Sequence, residues 1–242
     1  MIHPTAIIEE DVVLGKNNTI EAYAIIKKGT RLGNNNVVRS FTVLGETPTS
    51  PKYAGLDAYL EIGNNNLFAS NVTIQKGLGL DRKTIIGNDN AFYNNVTVAY
   101  NCHIGNHNIF VAYTGLTSNI RVKDYVTFGG RSGARLGLTS NVVIEDFAYI
   151  AACTTVAADV PPCMLVMGGY SPRIITYNDV KLQDLLAVYP QETEESLSRL
   201  YRIIKNNKSH SKVLEELNKL EETPLIKKFK IFYTERRSIM KG

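Results

Sequence analysis

Side chains able to move a proton or attack a carbonyl gather in one stretch, residues 94–107, which reads N-N-V-T-V-A-Y-N-C-H-I-G-N-H. It holds a phenol at Tyr100, a thiol at Cys102 and imidazoles at His103 and His107. Histidine suits general-base work near neutral pH. A neutral phenol, with a pKa of about 10, is a poor base unless strongly perturbed. His103 and His107 are therefore weighed as bases against the plainer reading of solvated surface histidines. Cys102, Cys153 and Cys163 are scattered, and two of them fall at inward positions as small core residues. Free thiols fit a reduced, cytoplasmic setting. The four histidines show no metal-ligand spacing, so no metal site is inferred.

The element that positions these groups is a repeat. An apolar residue, a glycine and a polar turn recur at Ile104-Gly105-Asn106-His107-Asn108, Leu32-Gly33-Asn34-Asn35-Asn36, Ile62-Gly63-Asn64-Asn65-Asn66 and Ile86-Gly87-Asn88-Asp89-Asn90, with a weaker copy at Leu14-Gly15. Gly15 to Gly33 spans 18 residues, as does Gly87 to Gly105. Three hexads make one triangular coil of a parallel β-helix. Longer steps are one coil plus an excursion, around residues 46–55, 77–82 and 136–140. Val96, Val98, Cys102 and Ile104 can stack inward on the coils above and below. Asparagine and glycine take the corners because both tolerate positive φ. Asparagine-rich hairpins in a β-sandwich would not keep constant 18-residue steps. Periodicity does not give the hand of the coil.

The chain of 242 residues, with net charge +4, allows one or two domains. No basic cluster is dense enough to argue for nucleic acid. Met1-Ile2-His3-Pro4 enters the first repeat directly, so no signal peptide is expected, and no apolar run reaches membrane-spanning length. The coils are expected to stop at Asp159-Val160-Pro161-Pro162, because two prolines remove two ladder donors, with a last strand possible over 163–167. The expected division is a mainly β domain over 1–172 and a small α-helical C-terminal domain over 173–242. Helices are expected over 175–188, 192–205 and 209–220, with another opened by Pro224. Their apolar stripes, such as Leu197, Leu200, Tyr201 and Ile204, read as core.

The ordered motifs carry a resemblance. His3-Pro4-Thr5-Ala6-Ile7, Lys52-Tyr53-Ala54-Gly55, Thr73-Ile74-Gln75-Lys76-Gly77, Val98-Ala99-Tyr100-Asn101-Cys102, Gly129-Gly130 and Ala158-Asp159-Val160-Pro161-Pro162 follow one another. In this order the chain resembles the UDP-N-acetylglucosamine O-acyltransferases of lipid A biosynthesis. The resemblance implies a left-handed parallel β-helix of hexapeptide repeats, a helical C-terminal domain, and a homotrimer with active sites between subunits. It also implies an acyl thioester donor, on acyl carrier protein phosphopantetheine or coenzyme A, a UDP-sugar acceptor, and no other cofactor.

Residue by residue, the resemblance also marks departures. The family's catalytic histidine stands two residues before the motif cysteine, where this chain has Tyr100. The acid that orients it is Asn101 here. Other family histidines align with Thr97, Asn119, Arg135, Gln75 and Tyr170, and the sugar-contacting loop aspartate with Ser50. Lys52, Tyr53 and Asn178 persist from the substrate-contacting set. The oxyanion donor is a backbone N–H that aligns with Ser118, and a backbone group survives substitution. Ala151-Ala152 stands where the family's ruler closes the acyl groove. Arg135, a permanently charged fork, is expected to bind an anion or to pair with Glu145 or Asp146 of a neighbour. Three readings follow: an acyltransferase with altered chemistry, acting on an amino sugar; a paralogue that binds a nucleotide sugar or partner without catalysis; and a purely structural trimer.

Overall fold

Short apolar pairs separated by polar corners cannot bury themselves alone, and here they stack. The computed structural model describes residues 1–48, 58–79, 83–135, 141–207, 209–235 and 239. Strands mostly of two residues form three sheets of 8, 7 and 9 members. All pairings are parallel except the last, so each sheet is one face of a triangular coil. The first sheet carries Ile7–Ile8, Thr73–Gln75, Thr97–Val98, Gly115–Leu116 and Gly133–Ala134 among its strands. The second carries His103–Ile104, and the third carries Ile109–Phe110. Registers absorb the excursions as expected: Leu32 pairs with Ile62, Ile62 with Ile86, and Val122 with Ile144.

Two asparagine ladders hold the coils in register. The inner ladder, Asn18, Asn36, Asn66, Asn90 and Asn108, is buried, and each Oδ1 accepts the backbone N–H of the residue one coil on. The outer ladder runs through Asn34, Asn64, Asn88 and Asn106 into Asp124 and Asp146. This explains the apolar-Gly-Asn phrase. A Cβ on Gly87 would fall 2.6 Å from both the Gly105 carbonyl and Asn106 Oδ1, so glycine makes room for the next coil's cap. Inside, Phe68, Phe92, Phe110 and Phe128 stack with centroids 4.7–5.2 Å apart. Such pairs add about 0.5–1.5 kcal/mol each beyond burial.

Three expectations need correction. Positive-φ corners are not reserved for asparagine and glycine: Tyr23, Phe41, His107, Tyr113, Tyr125, Arg131, Phe147, Cys153 and Cys163 adopt φ between 56° and 65°. Stacking between coils offsets the strain, with Tyr125 lying between His107 and Phe147. The double proline does not stop the coils. It lies in a corner closed by the Cys163 N–H bond to Asp146 O, and Met164–Met167 then adds a further parallel strand. The solenoid ends where Arg173–Tyr177 pairs antiparallel on that strand. The helix expected over 175–188 is therefore a strand followed by a shorter helix. The β-branched run Ile174-Ile175-Thr176 alternates buried and outward side chains, which favours the strand.

The tail holds helices α1 (Leu182–Val188), α2 (Glu194–Asn206), α3 (His210–Asn218) and α4 (Pro224–Glu235). Thr193 and Ser196 form a capping box on α2. Leu197, Leu200, Val213, Leu217, Leu225 and Phe229 are buried in the same apolar core as the last coils. Lys228 on α4 pairs with Asp146, so the outer ladder ends in a carboxylate that the tail neutralises. Burial lowers the Lys228 ammonium, and the nearby Glu145 carboxylate opposes that shift.

Candidate functional site

The outward face of the first sheet gathers most of the predicted residues. Thr97 is exposed, between Thr73 one coil before it and Gly115 one coil after. Tyr100 is half-buried at the corner that follows this strand, and Ser118 is the equivalent residue one coil on. Asn119 follows Ser118 at φ 61° and donates its backbone N–H to Tyr100 O at 3.1 Å. Gln75 is half-buried and lies across from Glu46, where the register shifts. Arg135 is exposed, one coil beyond Thr117. Tyr170 is 89% exposed, after a turn in which Gly169 O accepts the Thr155 N–H, at the far end of the same face.

Asn178 does not join this group. It is fully buried, its Nδ2 donates to Phe147 O at 2.8 Å, and its Oδ1 accepts the Val180 N–H. Its place is the junction of coil and tail. Lys52, Tyr53 and Ser50 lie outside the described residues.

None of the four histidines occupies the face that carries Tyr100. His3 bonds Thr5 at the first coil. His103 lies on the second sheet between Ile85 and Arg121. His107 stacks on Tyr125, and His210 meets Tyr233 edge-on in the tail. The corner at Asn101 turns the chain from the first sheet to the second, which is why His103 faces elsewhere. Cys102 is no nucleophile, since burial pushes its thiol up to about 12. The Ser118 backbone N–H donates to no other group among the described residues, and the residue is 8% exposed.

Two features of the site escaped the sequence. Asn101 Oδ1 accepts the Leu78 N–H at 2.7 Å, and its Nδ2 donates to Leu78 O at 2.8 Å. Its own N–H donates to buried Thr84 Oγ1 at 3.0 Å. One amide thus clamps the root of the second excursion beside Tyr100. The other feature is a charged group lower on the face. Lys27 Nζ lies 2.7 Å from Glu46 Oε1, which also accepts the Thr47 N–H. Burial pushes the Glu46 carboxyl up, but Lys27, the Thr47 N–H and Lys76 together hold it below its usual value. Only the closeness of Lys27 and Glu46 across 19 residues hinted at this, and an 18-residue period leaves such pairs off by one.

The alternative partners named for Arg135 are Glu145 or Asp146 of a neighbour. Glu145 and Asp146 are buried, and Asp146 pairs with Lys228 of its own chain.

Residues 11–46 match the model for bacterial transferase hexapeptide repeats (six repeats). The UDP-N-acetylglucosamine O-acyltransferase of Moraxella catarrhalis superposes with a TM-score of 0.81 at 25% identity, covering 99% of each chain. The chain shares the fold of the UDP-N-acetylglucosamine O-acyltransferases over its whole length. The Campylobacter jejuni UDP-N-acetylglucosamine acyltransferase gives a TM-score of 0.82 at 22% identity, over 100% of this chain and 99% of that one. The Arabidopsis protein gives 0.78 at 24% identity, with both chains covered in full. The resemblance read from the motifs holds, and with it the left-handed hand that periodicity could not supply. No helix among the described residues is long and apolar enough to cross a membrane.

Proposed function

We propose that this protein is an acyltransferase-like homotrimer that takes a UDP-linked amino sugar and an acyl thioester, in lipid A or surface-polysaccharide chemistry in the cytoplasm. The observation that carries the reading is a face on which the coils bring the aligned positions together but which holds no histidine. Thr97, Tyr100, Ser118 and Asn119 sit together on successive coils, yet no histidine of the chain shares their face. A hydroxyl acceptor needs its proton removed as it attacks a thioester. A neutral amine does not. Its nitrogen bonds to the thioester carbonyl carbon and becomes positively charged, the C–S bond breaks, and one of the nitrogen's own protons passes to the departing thiolate. Such a site needs proximity and a donor for the developing oxyanion, which the Ser118 N–H supplies. Tyr100, Asn119 and Gln75 then position the acceptor together with Tyr170, Arg135 holds an anionic group of donor or acceptor, and Lys52 and Tyr53 are assigned to the substrate by the resemblance alone.

The trimer has physical support in the third sheet. Its outward positions include Val37, Leu67, Ala91 and Ile109, all half-buried in a single chain and apolar. A second reading, a paralogue that binds without turnover, draws on the loss of the histidine alone. Incubating the purified protein with acyl carrier protein thioesters and either UDP-N-acetylglucosamine or a UDP-amino sugar separates the two. Amide formation with the amino sugar is expected, with ester formation reduced by about 10²–10⁴ relative to a base-equipped site. Binding of the nucleotide sugar with no product from either acceptor would leave the second reading.

A further inference from the structure

We propose that Arg131 and Arg135 form the two arms of a phosphate-binding trough across the first sheet. This rests on reading Arg135 as an anion ligand, and adds the second arm and the ligand class. Along this coil, Arg131, Gly133 and Arg135 take outward positions, while Ser132 and Ala134 are 4% and 1% exposed. Both arginines are exposed. Arg131 sits at the corner before the strand, with its guanidinium 5.8 Å from the centroid of the Tyr113 ring one coil back. Arg135 follows the strand and is tied by its N–H to Val156 O. Their Cα atoms are four residues apart, about 13 Å at roughly 3.3 Å per residue.

Gly133, between them, is itself buried. Gly133 pairs with Gly115, so two successive coils present no side chain there. A Cβ on Gly133 would collide with the Gly115 carbonyl, so the gap is fixed by backbone packing. The neighbouring positions in the three columns are Asn95, Tyr113 and Cys153; Thr97 and Thr155; Ala99, Thr117 and Ala157. None carries a charge, and no ion pair of either arginine is found among the described residues. Two exposed guanidinium forks, without an ion pair among the described residues, therefore flank a column of two glycines. Each fork matches a phosphate bidentately, and two arriving from opposite edges suit a ligand with more than one negative charge.

The chemistry fits a diphosphate, as in a nucleotide sugar, or the phosphate of a phosphopantetheine arm. Titration calorimetry at fixed salt with inorganic pyrophosphate, UDP and 4′-phosphopantetheine tests it on wild type, Arg131→Asn, Arg135→Gln and the double variant. Asparagine is chosen at 131 because the position has φ 56°. Each single change is expected to weaken pyrophosphate binding by roughly 10–100-fold, as for a hydrogen bond to a charged group. The double variant should lose less than the product of the two, because both arms hold one anion. Thermal melting should match wild type throughout. Loss on Arg135→Gln with wild-type affinity for Arg131→Asn would overturn the trough and spare the Arg135 reading. Failure of wild type to bind any of the three probes would overturn both. If UDP alone shows the double-variant loss, the phosphate comes from the acceptor; if 4′-phosphopantetheine alone shows it, from the donor.

Discussion

Replacing Asn101 by aspartate isolates a single hydrogen bond. The residue adopts φ 58°, a region that asparagine and aspartate both tolerate, so the backbone should be undisturbed. A carboxylate can still accept the Leu78 N–H, but it cannot donate to Leu78 O, which the amide now reaches at 2.8 Å. Leu78 is 9% exposed, so that carbonyl is left poorly solvated. An unsatisfied buried acceptor costs about 1–3 kcal/mol. Taking about 2 kcal/mol, the melting temperature should fall by roughly 4–8 °C at pH 7 for a chain of this size. The sign with pH follows from linkage. The Leu78 carbonyl disfavours the charged form, so the introduced carboxyl is raised in the folded state above its unfolded value of about 3.9. Stability matches the protonated, hydrogen-bonded form below that value. It is lost as pH rises through a window roughly 1.5 units wide. Melts of wild type and Asn101→Asp from pH 7 to pH 3.5 give the readout, with Leu78 amide exchange as a local probe. A gap that stays constant with pH, or no gap at pH 7, would refute the clamp.

Gly87→Ala should destabilise by about 1–3 kcal/mol, because the new methyl meets Gly105 O and Asn106 Oδ1 with no room to relax; a denaturant midpoint unchanged from wild type would contradict the ladder argument. Lys228→Met should cost about 1–3 kcal/mol by leaving the buried Asp146 carboxylate without its ammonium partner, and adding Asp146→Asn should recover most of it, since asparagine fills the equivalent ladder position at Asn106; chemical denaturation of both variants checks this. Light scattering at micromolar concentration should give three times the chain mass, and a monomer would count against a site placed between subunits. Tyr100→His alone should restore little ester formation in the coupled assay, because both atoms of the Asn101 amide are engaged by Leu78.

The solenoid was legible because its physics is periodic. One coil repeats the same demands, and Gly15, Gly33, Gly63, Gly87 and Gly105 mark the same spot on each. What periodicity could not give was set by contacts between coils. The tolerance of Tyr125 and Phe147 for positive φ comes from rings 4.6 Å apart, a partner unknown until the register is known. Residues 175–177 differ from the expected helix because a short β-branched run before a helix also fits helical spacing, and only the edge left by Met164–Met167 decides for a strand. Within the site, Thr97, Tyr100, Ser118 and Asn119 were found through the resemblance and fall where the coils stack them. Asn178 was carried over by the same route into a buried junction. The roles of Asn101, Arg131 and Glu46 depend on residues one coil away, at separations of 17–23 residues set by local excursions.

The change at Tyr100 and the change at Asn101 are best understood together. A histidine base needs a carboxylate to hold its ring, and a carboxylate at this corner would face the Leu78 carbonyl. An amide instead satisfies both backbone groups of Leu78 and fixes the excursion. Once the base is absent, nothing in the chemistry of the face calls for the acid, and the backbone of the excursion favours asparagine. The converse also holds. An aspartate at 101, placed to serve a histidine at 100, would lose the bond to Leu78 O, so on the proposed reading exchanging the residue at 100 alone should not give efficient ester chemistry. On the proposed reading the two positions act as one unit, coupled by the hydrogen bonds between the Asn101 amide and Leu78.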